Sequence, residues 1–131
     1  MDEPLFLSLE IIEELHSGSL HNFGGIAGIR DRGMIESALG SAQNTFYYGR
    51  GDLFDVAAAY AYHIAEAQAF LDGNKRTACA AALTFLRGNG CRIQVDEMLI
   101  YDAMIAIANK QLDKAGLAAL FRSLAQPGRS K

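Results

Sequence analysis

The chain has 131 residues, a formal net charge of −3, 50% hydrophobic residues and 21% charged residues, a length and balance that fit one globular domain and exclude disorder. The charges are scattered along an acidic chain, so we expect no basic surface that binds nucleic acid. No stretch approaches the ~20 apolar residues of a membrane span, and we expect a cytoplasmic protein without a membrane partner.

The first predicted element is a helix from Leu5 to about Ser19. Its apolar residues recur at helical spacing, and Ser8 is a suitable N-cap. Gly18 is expected to end the helix, because glycine is a poor helix former. The glycines at positions 24, 25 and 28 permit positive φ angles and predict an ordered loop.

Arg30 and Asp31 end this loop and admit two interpretations. They either fix the fold, as an ion pair or a helix cap, or act directly in catalysis. We favour the first, since polar groups in loops of this kind commonly fix a fold. Asp31 is a suitable N-cap for a second helix, which is predicted to end before Gln43.

Residues Asn44–Gly51 carry three consecutive aromatic side chains with glycines beside them. The segment has local β character. It is interpreted either as a strand or loop whose aromatic side chains pack on the core, which we favour, or as a flap that pairs with an extended segment of a partner. The predicted fold therefore leaves room for a short β-hairpin or flap.

A third helix is predicted from Asp52, which is followed by Asp55 in an aspartate version of the capping box. Its apolar residues fall on one helical face, so this helix is expected to be central and mostly buried. His63 lies on the same face. It is interpreted as a hydrogen-bonded core residue, the commoner role of a lone histidine there, in preference to a ligand or a catalytic base.

The second half of the chain is predicted to add three helices and a short strand. An alanine-rich helix from Lys75 to Phe85 should pack closely on several sides, and the Asn-Gly pair at 89–90 signals its end. Alternating residues around Ile93 predict a strand that could pair near Tyr47.

Asp96 and Asp113 are the predicted caps of the fifth and sixth helices. The predicted fold class is therefore all-α, a compact single domain of about six helices. It covers residues 1–125, and residues 126–131 are predicted to be a flexible C-terminal tail because they lack apolar anchors.

The segment Phe70–Thr77 connects the third and fourth helices. If the turn ends near Asn74, the fourth helix is expected to begin with free N–H groups and a partial positive charge where Lys75 and Arg76 project, a favourable arrangement for binding phosphate. Asp72 adds an oxygen ligand of the kind that magnesium prefers. The alternative is a capped turn with two solvated cations, and spacing alone does not decide between them.

This segment resembles the Doc (death-on-curing) branch of the Fic/Doc superfamily, whose motif runs His-Pro-Phe-x-Asp-Gly-Asn-Lys-Arg; the matching residues are Phe70, Asp72, Gly73, Asn74, Lys75 and Arg76. Further Doc landmarks follow the same order, namely Phe23-Gly24-Gly25, Gly28-Ile29-Arg30-Asp31, Glu36-Ser37-Ala38-Leu39 and Phe85-Leu86 with Asn89-Gly90. The resemblance covers roughly Leu5 to Leu124.

The resemblance implies a helical fold that uses ATP and Mg²⁺ to modify a serine, threonine or tyrosine hydroxyl of a protein. Fic relatives transfer the nucleotidyl group (AMPylation), whereas Doc acts as a kinase on a translation elongation factor and is inhibited by an antitoxin. By position, Asp72 binds the metal, Gly73 and Asn74 form the anion-binding site, and Lys75 and Arg76 neutralise phosphate charge during catalysis.

Gln68 and Ala69 depart from the motif, which has His-Pro there. The histidine of the family is the general base, and such a base contributes about 10²–10⁴-fold in rate. Gln68 can orient a hydroxyl but cannot accept its proton near neutral pH. His63 and Glu66 are expected to be poor substitutes, because a regular helix rotates them about 140° and about 200° away from Gln68.

Two functions are compatible with the sequence. The first is a Doc-like toxin that transfers a phosphoryl or nucleotidyl group; weak activity can survive without the base, since charge stabilisation dominates loose phosphoryl transfer. The second is a catalytically degenerate Fic-fold module that binds phosphate, nucleotide or an antitoxin without turnover.

Regulation is predicted from the same resemblance. Some Fic proteins inhibit themselves with a Ser/Thr-x-x-x-Glu-Gly/Asn segment, which this sequence lacks, so inhibition by an antitoxin in trans is predicted. The sequence neither predicts nor excludes a homodimer.

Overall fold

The structure is a computed structural model that describes residues 3–94 and 97–126, and of residue 97 only the backbone. The described residues form six helices, α1 (Leu9–Phe23), α2 (Arg32–Tyr47), α3 (Leu53–Ala67), α4 (Asn74–Gly88), α5 (Glu97–Ala108) and α6 (Lys114–Leu124). The prediction of an all-α fold is confirmed. Within the described ranges, no helix combines the length and the apolar character needed to cross a membrane.

Polar side chains begin four of the helices, as the sequence predicts. Ser8 caps α1, Asp31 caps α2, Asp52 caps α3 in a capping box with Asp55, and Asp113 caps α6. Each accepts a hydrogen bond from a main-chain N–H of the first turn, a group that has no partner inside the helix. These predicted helix starts are therefore confirmed.

Helix α3 is the centre of the domain and packs against α2, α4, α5 and α6. Every residue from Val56 to Ala61 is buried, and most of them are alanines, which let neighbouring helices approach closely. The buried Tyr60 hydroxyl accepts a hydrogen bond of 2.9 Å from the main-chain N–H of Leu7. This contact ties the segment before α1 to the core.

The predicted end of α1 at Gly18 is wrong, because the helix continues to Phe23. A Cβ added at Gly18 would meet nothing within 4 Å, so no close contact requires glycine here. One glycine costs a helix only about 1 kcal/mol, and His16 and Ser19 on either side of Gly18 are buried, so the packed face of α1 continues through this position.

The prediction that residues 44–51 form a strand, loop or flap is wrong for residues 44–47. They form the last turn of α2, which runs to Tyr47. The rings of Phe46 and Tyr47 lie 6.0 Å and 5.7 Å from that of Phe6. This contact with the segment before α1 favours the helix over the local β preference of the aromatic residues.

Ile93 pairs with a different segment from the one predicted. It forms an isolated antiparallel bridge with Ala125, after α6, because the residues near Tyr47 are helical and offer no strand edge. A second isolated bridge joins Ile29 to Phe70, and the described residues contain no β-hairpin. The predicted cap Asp96 and residues 127–131 of the predicted tail lie outside the described residues.

Candidate functional site

The loop between α3 and α4, residues 68–73, is called the motif loop below. It lies against the loop between α1 and α2. The main-chain N–H of Arg30 donates to the carbonyl of Ala69 at 2.6 Å, and that of Leu71 donates to the carbonyl of Gly28 at 3.1 Å. These main-chain bonds hold the motif loop as a short extended segment.

Two glycines permit the close approach of these loops. Gly25 has a φ of 127°, and a Cβ added there would lie 2.9 Å from Oδ2 of Asp72. Gly28 has a φ of 138°, and its added Cβ would lie 2.6 Å from Cδ1 of Leu71. A Cβ at either position would collide with a side chain of the motif loop, and both φ values favour glycine. The landmark glycines thus have a structural role.

Arg30 and Asp31 both fix the fold, as the favoured interpretation predicts. Asp31 accepts hydrogen bonds from the N–H groups of Gly33 at 3.0 Å and Met34 at 3.4 Å, at the start of α2. A guanidinium N–H of Arg30 donates to the carbonyl of Gln68 at 3.2 Å. The two residues therefore connect the start of α2 with the start of the motif loop.

His16 of α1 contacts the motif loop through Asp72 and Phe70. Its side chain is buried, and Nε2 lies 2.8 Å from the main-chain oxygen of Asp72. Because a carbonyl oxygen only accepts, Nε2 carries the proton. The imidazole also stacks on Phe70, with ring centroids 3.8 Å apart and an interplanar angle of 11°. His16 is not among the site residues predicted from the sequence; its position four residues after the apolar Ile12, on the same face of α1, was the available signal.

The side chain of Asn74 bonds to the main chain of Phe70. Its Oδ1 accepts from the N–H of Phe70 at 3.1 Å, and its Nδ2 donates to the carbonyl of Phe70 at 3.0 Å. Both polar atoms of the amide are thus engaged within the protein. Asn74 is the first residue of α4, and its side chain fixes the motif loop.

The N-terminus of α4 presents unpaired main-chain donors. The N–H of Gly73 donates to Oδ1 of its neighbour Asp72 at 2.8 Å. Among the described residues, the N–H groups of Asn74, Lys75 and Arg76 have no hydrogen-bond acceptor, and no side chain caps this helix. Three donors at the positive end of a helix form a suitable site for an anion.

The carboxylate of Asp72 lies at the rim of this site. The N–H groups of Ile26 and Gly73 donate to its two oxygens and lower the pKa of the carboxyl below its ordinary value; the nearby charge of Arg76 acts in the same direction. Asp72 is therefore ionised at neutral pH. It is exposed, and each oxygen retains a lone pair for a further ligand.

Lys75 and Arg76 point in different directions, although they are adjacent in sequence. The guanidinium of Arg76 lies 4.7 Å from the ring centroid of Phe23 and lines an apolar groove of about 490 Å³. Lys75 lines a smaller polar pocket of about 170 Å³ together with Gln68. Consecutive helical residues are about 100° apart, so a sequence pair need not act on one point.

Gln68 ends α3 in the left-handed region, with a φ of 53° and a ψ of 38°. Its side-chain Nε2 donates to the carbonyl of Ala65 at 3.4 Å. Glu66 lines the same polar pocket as Gln68. The two residues share this pocket because the chain leaves helical geometry at Gln68, so the rotation of about 200° in a regular helix does not apply there.

The sequence profile of the Fic/DOC family matches residues 6–86, which include both loops and the start of α4. The chain belongs to the Fic/Doc family. It is 34% identical over 119 residues to "Protein kinase doc" of Escherichia phage P1, covering 90% of this chain and 94% of that protein. It is 39% identical over 123 residues to "Toxin Doc" of Mycolicibacterium smegmatis (strain ATCC 700084 / mc(2)155), covering 87% and 92%. The family resemblance of the sequence is confirmed.

His63 of this Fic/Doc protein contacts Lys114, the first residue of α6, and its chain neighbour Tyr62. Its Nε2 lies 2.9 Å from Nζ of Lys114, and its ring packs edge-on against Tyr62. Burial lowers the pKa of His63, and the charge of Lys114 lowers it further, whereas Glu66 opposes the shift. Since an ammonium only donates, neutral His63 accepts this hydrogen bond. The residue is half-buried and hydrogen-bonded, in line with its structural interpretation.

Proposed function

We propose that this protein is a Doc-like toxin that acts in the cytoplasm and transfers a phosphoryl or nucleotidyl group from ATP to a serine, threonine or tyrosine hydroxyl of a protein such as a translation elongation factor. The similar proteins from phage P1 and M. smegmatis bear the names of a protein kinase and a toxin. The observation that carries the proposal is the start of α4, where three free N–H groups lie beside Lys75 and Arg76.

The transfer needs little covalent chemistry from the protein. The target hydroxyl oxygen forms a bond to the γ phosphorus and ADP leaves, or it forms a bond to the α phosphorus and pyrophosphate leaves. The hydroxyl proton passes to a base or to water. Donors fixed before the reaction stabilise the charge on the phosphate oxygens without reorganisation, and one such donor is worth about 10²–10³-fold in rate. The bonds from Asn74 and His16 to the motif loop provide this fixation.

The residues present fit a magnesium ion that is bound together with the triphosphate. Within residues 3–94 and 97–126, no group of three or more His, Cys, Asp and Glu side chains could hold a metal ion alone. Magnesium at phosphate sites commonly uses one or two carboxylates, with phosphate and water oxygens as the other ligands. Asp72 would be that carboxylate, and the ion would neutralise phosphate charge.

The proposal is tested with magnesium and ATP that carries its label at the α or the γ phosphate. The purified protein is incubated with elongation factor and with whole lysate. Label from the γ position identifies a kinase, and label from the α position identifies a nucleotidyltransferase. The variant Arg76→Ala should lose most of the transfer, whereas Arg87→Ala, an exposed arginine at the other end of α4, should retain it. Absence of transfer from both positions, with a competent target, would contradict the proposal.

Gln68 supports a second candidate function, a degenerate Fic-fold module that binds nucleotide or an antitoxin without turnover. Its amide cannot take the proton of an attacking hydroxyl. This candidate predicts that calorimetry detects the binding of ATP, whereas the assay with labelled ATP yields no labelled protein. Binding of ATP together with transfer of label to a protein would exclude the candidate.

We also propose that an antitoxin inhibits the protein in trans. The names of the similar proteins, one of which is a toxin, support this, because a toxin requires a means of restraint in its own cell. The product of a neighbouring reading frame should co-purify with the protein and relieve growth arrest. Growth arrest that no neighbouring frame relieves would contradict the proposal.

A further inference from the structure

A small polar pocket lies beside the motif loop, between the end of α3, the start of α4 and the end of α5. Its volume is about 170 Å³, and its lining residues are Ala65, Glu66, Gln68, Lys75, Ile107, Ala108 and Lys110. A water molecule occupies about 30 Å³ in the liquid, so the pocket has room for a phosphate group. Lys75 is common to this pocket and to the N-terminus of α4.

Lys110 brings a second cation to this pocket from a different element. It follows α5 with a φ of 60°, and its N–H donates to the carbonyl of Ile107 at 3.0 Å, while the N–H of Gln111 donates to that of Ala106 at 2.8 Å. This pattern is a Schellman motif, in which glycine commonly takes the position of Lys110. The turn itself therefore does not need the lysine side chain.

The charges that face the pocket do not balance. Lys75 and Lys110 contribute two positive charges and Glu66 one negative charge. The ion pairs of the described residues join Arg32 to Glu13 and Arg122 to Asp52 and Asp55. Lys75, Lys110 and Glu66 take part in none of these pairs. The free N–H groups of α4 add a partial positive charge at the same edge. This environment favours an anion with several acceptor oxygens.

We propose that this pocket is a phosphate subsite, in which Lys110 and Lys75 together bind a phosphate group of the polyphosphate chain of the nucleotide. The inference rests on the proposed function and adds a binding residue to it. Arg76 lies on the groove side of α4 and Lys75 on the pocket side, so a polyphosphate that crosses the N-terminus of α4 meets a cation on each side. Lys110 lies outside residues 6–86, which match the family model.

The test measures the binding of inorganic tripolyphosphate by calorimetry at low ionic strength. Lys110→Gly removes the cation and suits the left-handed backbone, so the affinity should fall about tenfold while the urea midpoint of unfolding stays the same or rises. Lys114→Met is the matched control, because Lys114 contacts His63 and does not line the pocket. Glu66→Gln removes the opposing charge and should increase the affinity.

Unchanged tripolyphosphate affinity in Lys110→Gly, or no binding to the unmodified protein, would overturn the inference. The labelled-ATP assay separates this result from the proposed function. Transfer of label with equal tripolyphosphate binding in Lys110→Gly contradicts the subsite alone. Binding that depends on Lys110, without transfer of label, supports the subsite and contradicts the enzymatic proposal.

Discussion

His16 and Asp72, which are 56 residues apart, are joined by a hydrogen bond of 2.8 Å from Nε2 of the imidazole to the main-chain oxygen of Asp72. The bond connects the buried face of α1 to the motif loop just before α4 begins. The same imidazole stacks on Phe70. One buried side chain of α1 therefore holds the main chain of Asp72, next to the helix start that forms the candidate site.

Replacing His16 by Phe should keep the aromatic stack on Phe70 and remove the donor to Asp72. Loss of this hydrogen bond should cost about 1–3 kcal/mol of unfolding free energy, measured by urea denaturation. Tripolyphosphate affinity should fall as well, because Asp72 and the N–H groups of α4 lose their fixed geometry. His16→Gln, which keeps a donor, should lose less.

The matched control for His16 is His21, an exposed histidine in the last turn of the same helix. His21→Ala should leave stability and affinity close to those of the unmodified protein. Equal losses in His21→Ala and His16→Phe would show that the hydrogen bond to Asp72 has no special role.

Replacing Asn74 by Ala should leave the N–H and the carbonyl of Phe70 without their side-chain partners. Phe70 is 1% exposed, so water replaces those bonds poorly, and each unsatisfied group costs about 1–3 kcal/mol. Asn74→Asp keeps the acceptor and loses the donor, and its stability should be intermediate at neutral pH. Urea denaturation and hydrogen exchange of the Phe70 amide measure the effect.

The exposed Asn44 on α2 provides the control for Asn74. Asn44→Ala should change the unfolding free energy little. Slow hydrogen exchange of the Phe70 amide in Asn74→Ala would be inconsistent with the proposed role of the Asn74 side chain.

Replacing Gln68 by His restores the residue that the family motif carries at this position. If the base limits transfer, the rate should rise by about 10²–10⁴-fold, measured with labelled ATP. Gln68→Asn, which is shorter and has no titratable nitrogen, is the control and should not raise the rate. An unchanged transfer rate in Gln68→His would indicate that another group accepts the proton.

Glu66 is the candidate for that group, because it lines the same polar pocket as Gln68. In that case, Glu66→Gln should lower the transfer rate.

Four helix starts were predicted correctly because their causes are local. The caps Ser8, Asp31, Asp52 and Asp113 act on N–H groups within the next few residues, so the sequence contains all the information. The end of α2 was predicted wrongly, before Gln43 instead of at Tyr47, because it depends on a contact between Phe46 and a segment 40 residues earlier in the chain, at Phe6.

In the candidate site, too, the features with local causes were predicted and those that depend on the arrangement of the helices were not. Asp72 and the start of α4 follow from the motif and from helix geometry. The directions of Lys75 and Arg76, and the common pocket of Glu66 and Gln68, depend on where α3 ends and α4 begins. The left-handed conformation of Gln68 decides that point, and no residue preference indicates it, since glycine or asparagine is usual there.

The last prediction concerns pH and His63. Its pKa in the folded protein lies below the ordinary value of 6.5, because burial and Lys114 disfavour the imidazolium. The unfolded chain therefore binds the proton more strongly, and His63 contributes stability above pH 6.5 that is lost as the pH falls through the folded pKa. His63→Gln should be less sensitive to acid than the unmodified protein when unfolding free energies at about pH 7.5 and about pH 5 are compared. His21→Gln removes an exposed histidine and should retain the sensitivity. A His63 resonance that titrates above the ordinary histidine value in an NMR experiment would contradict this prediction.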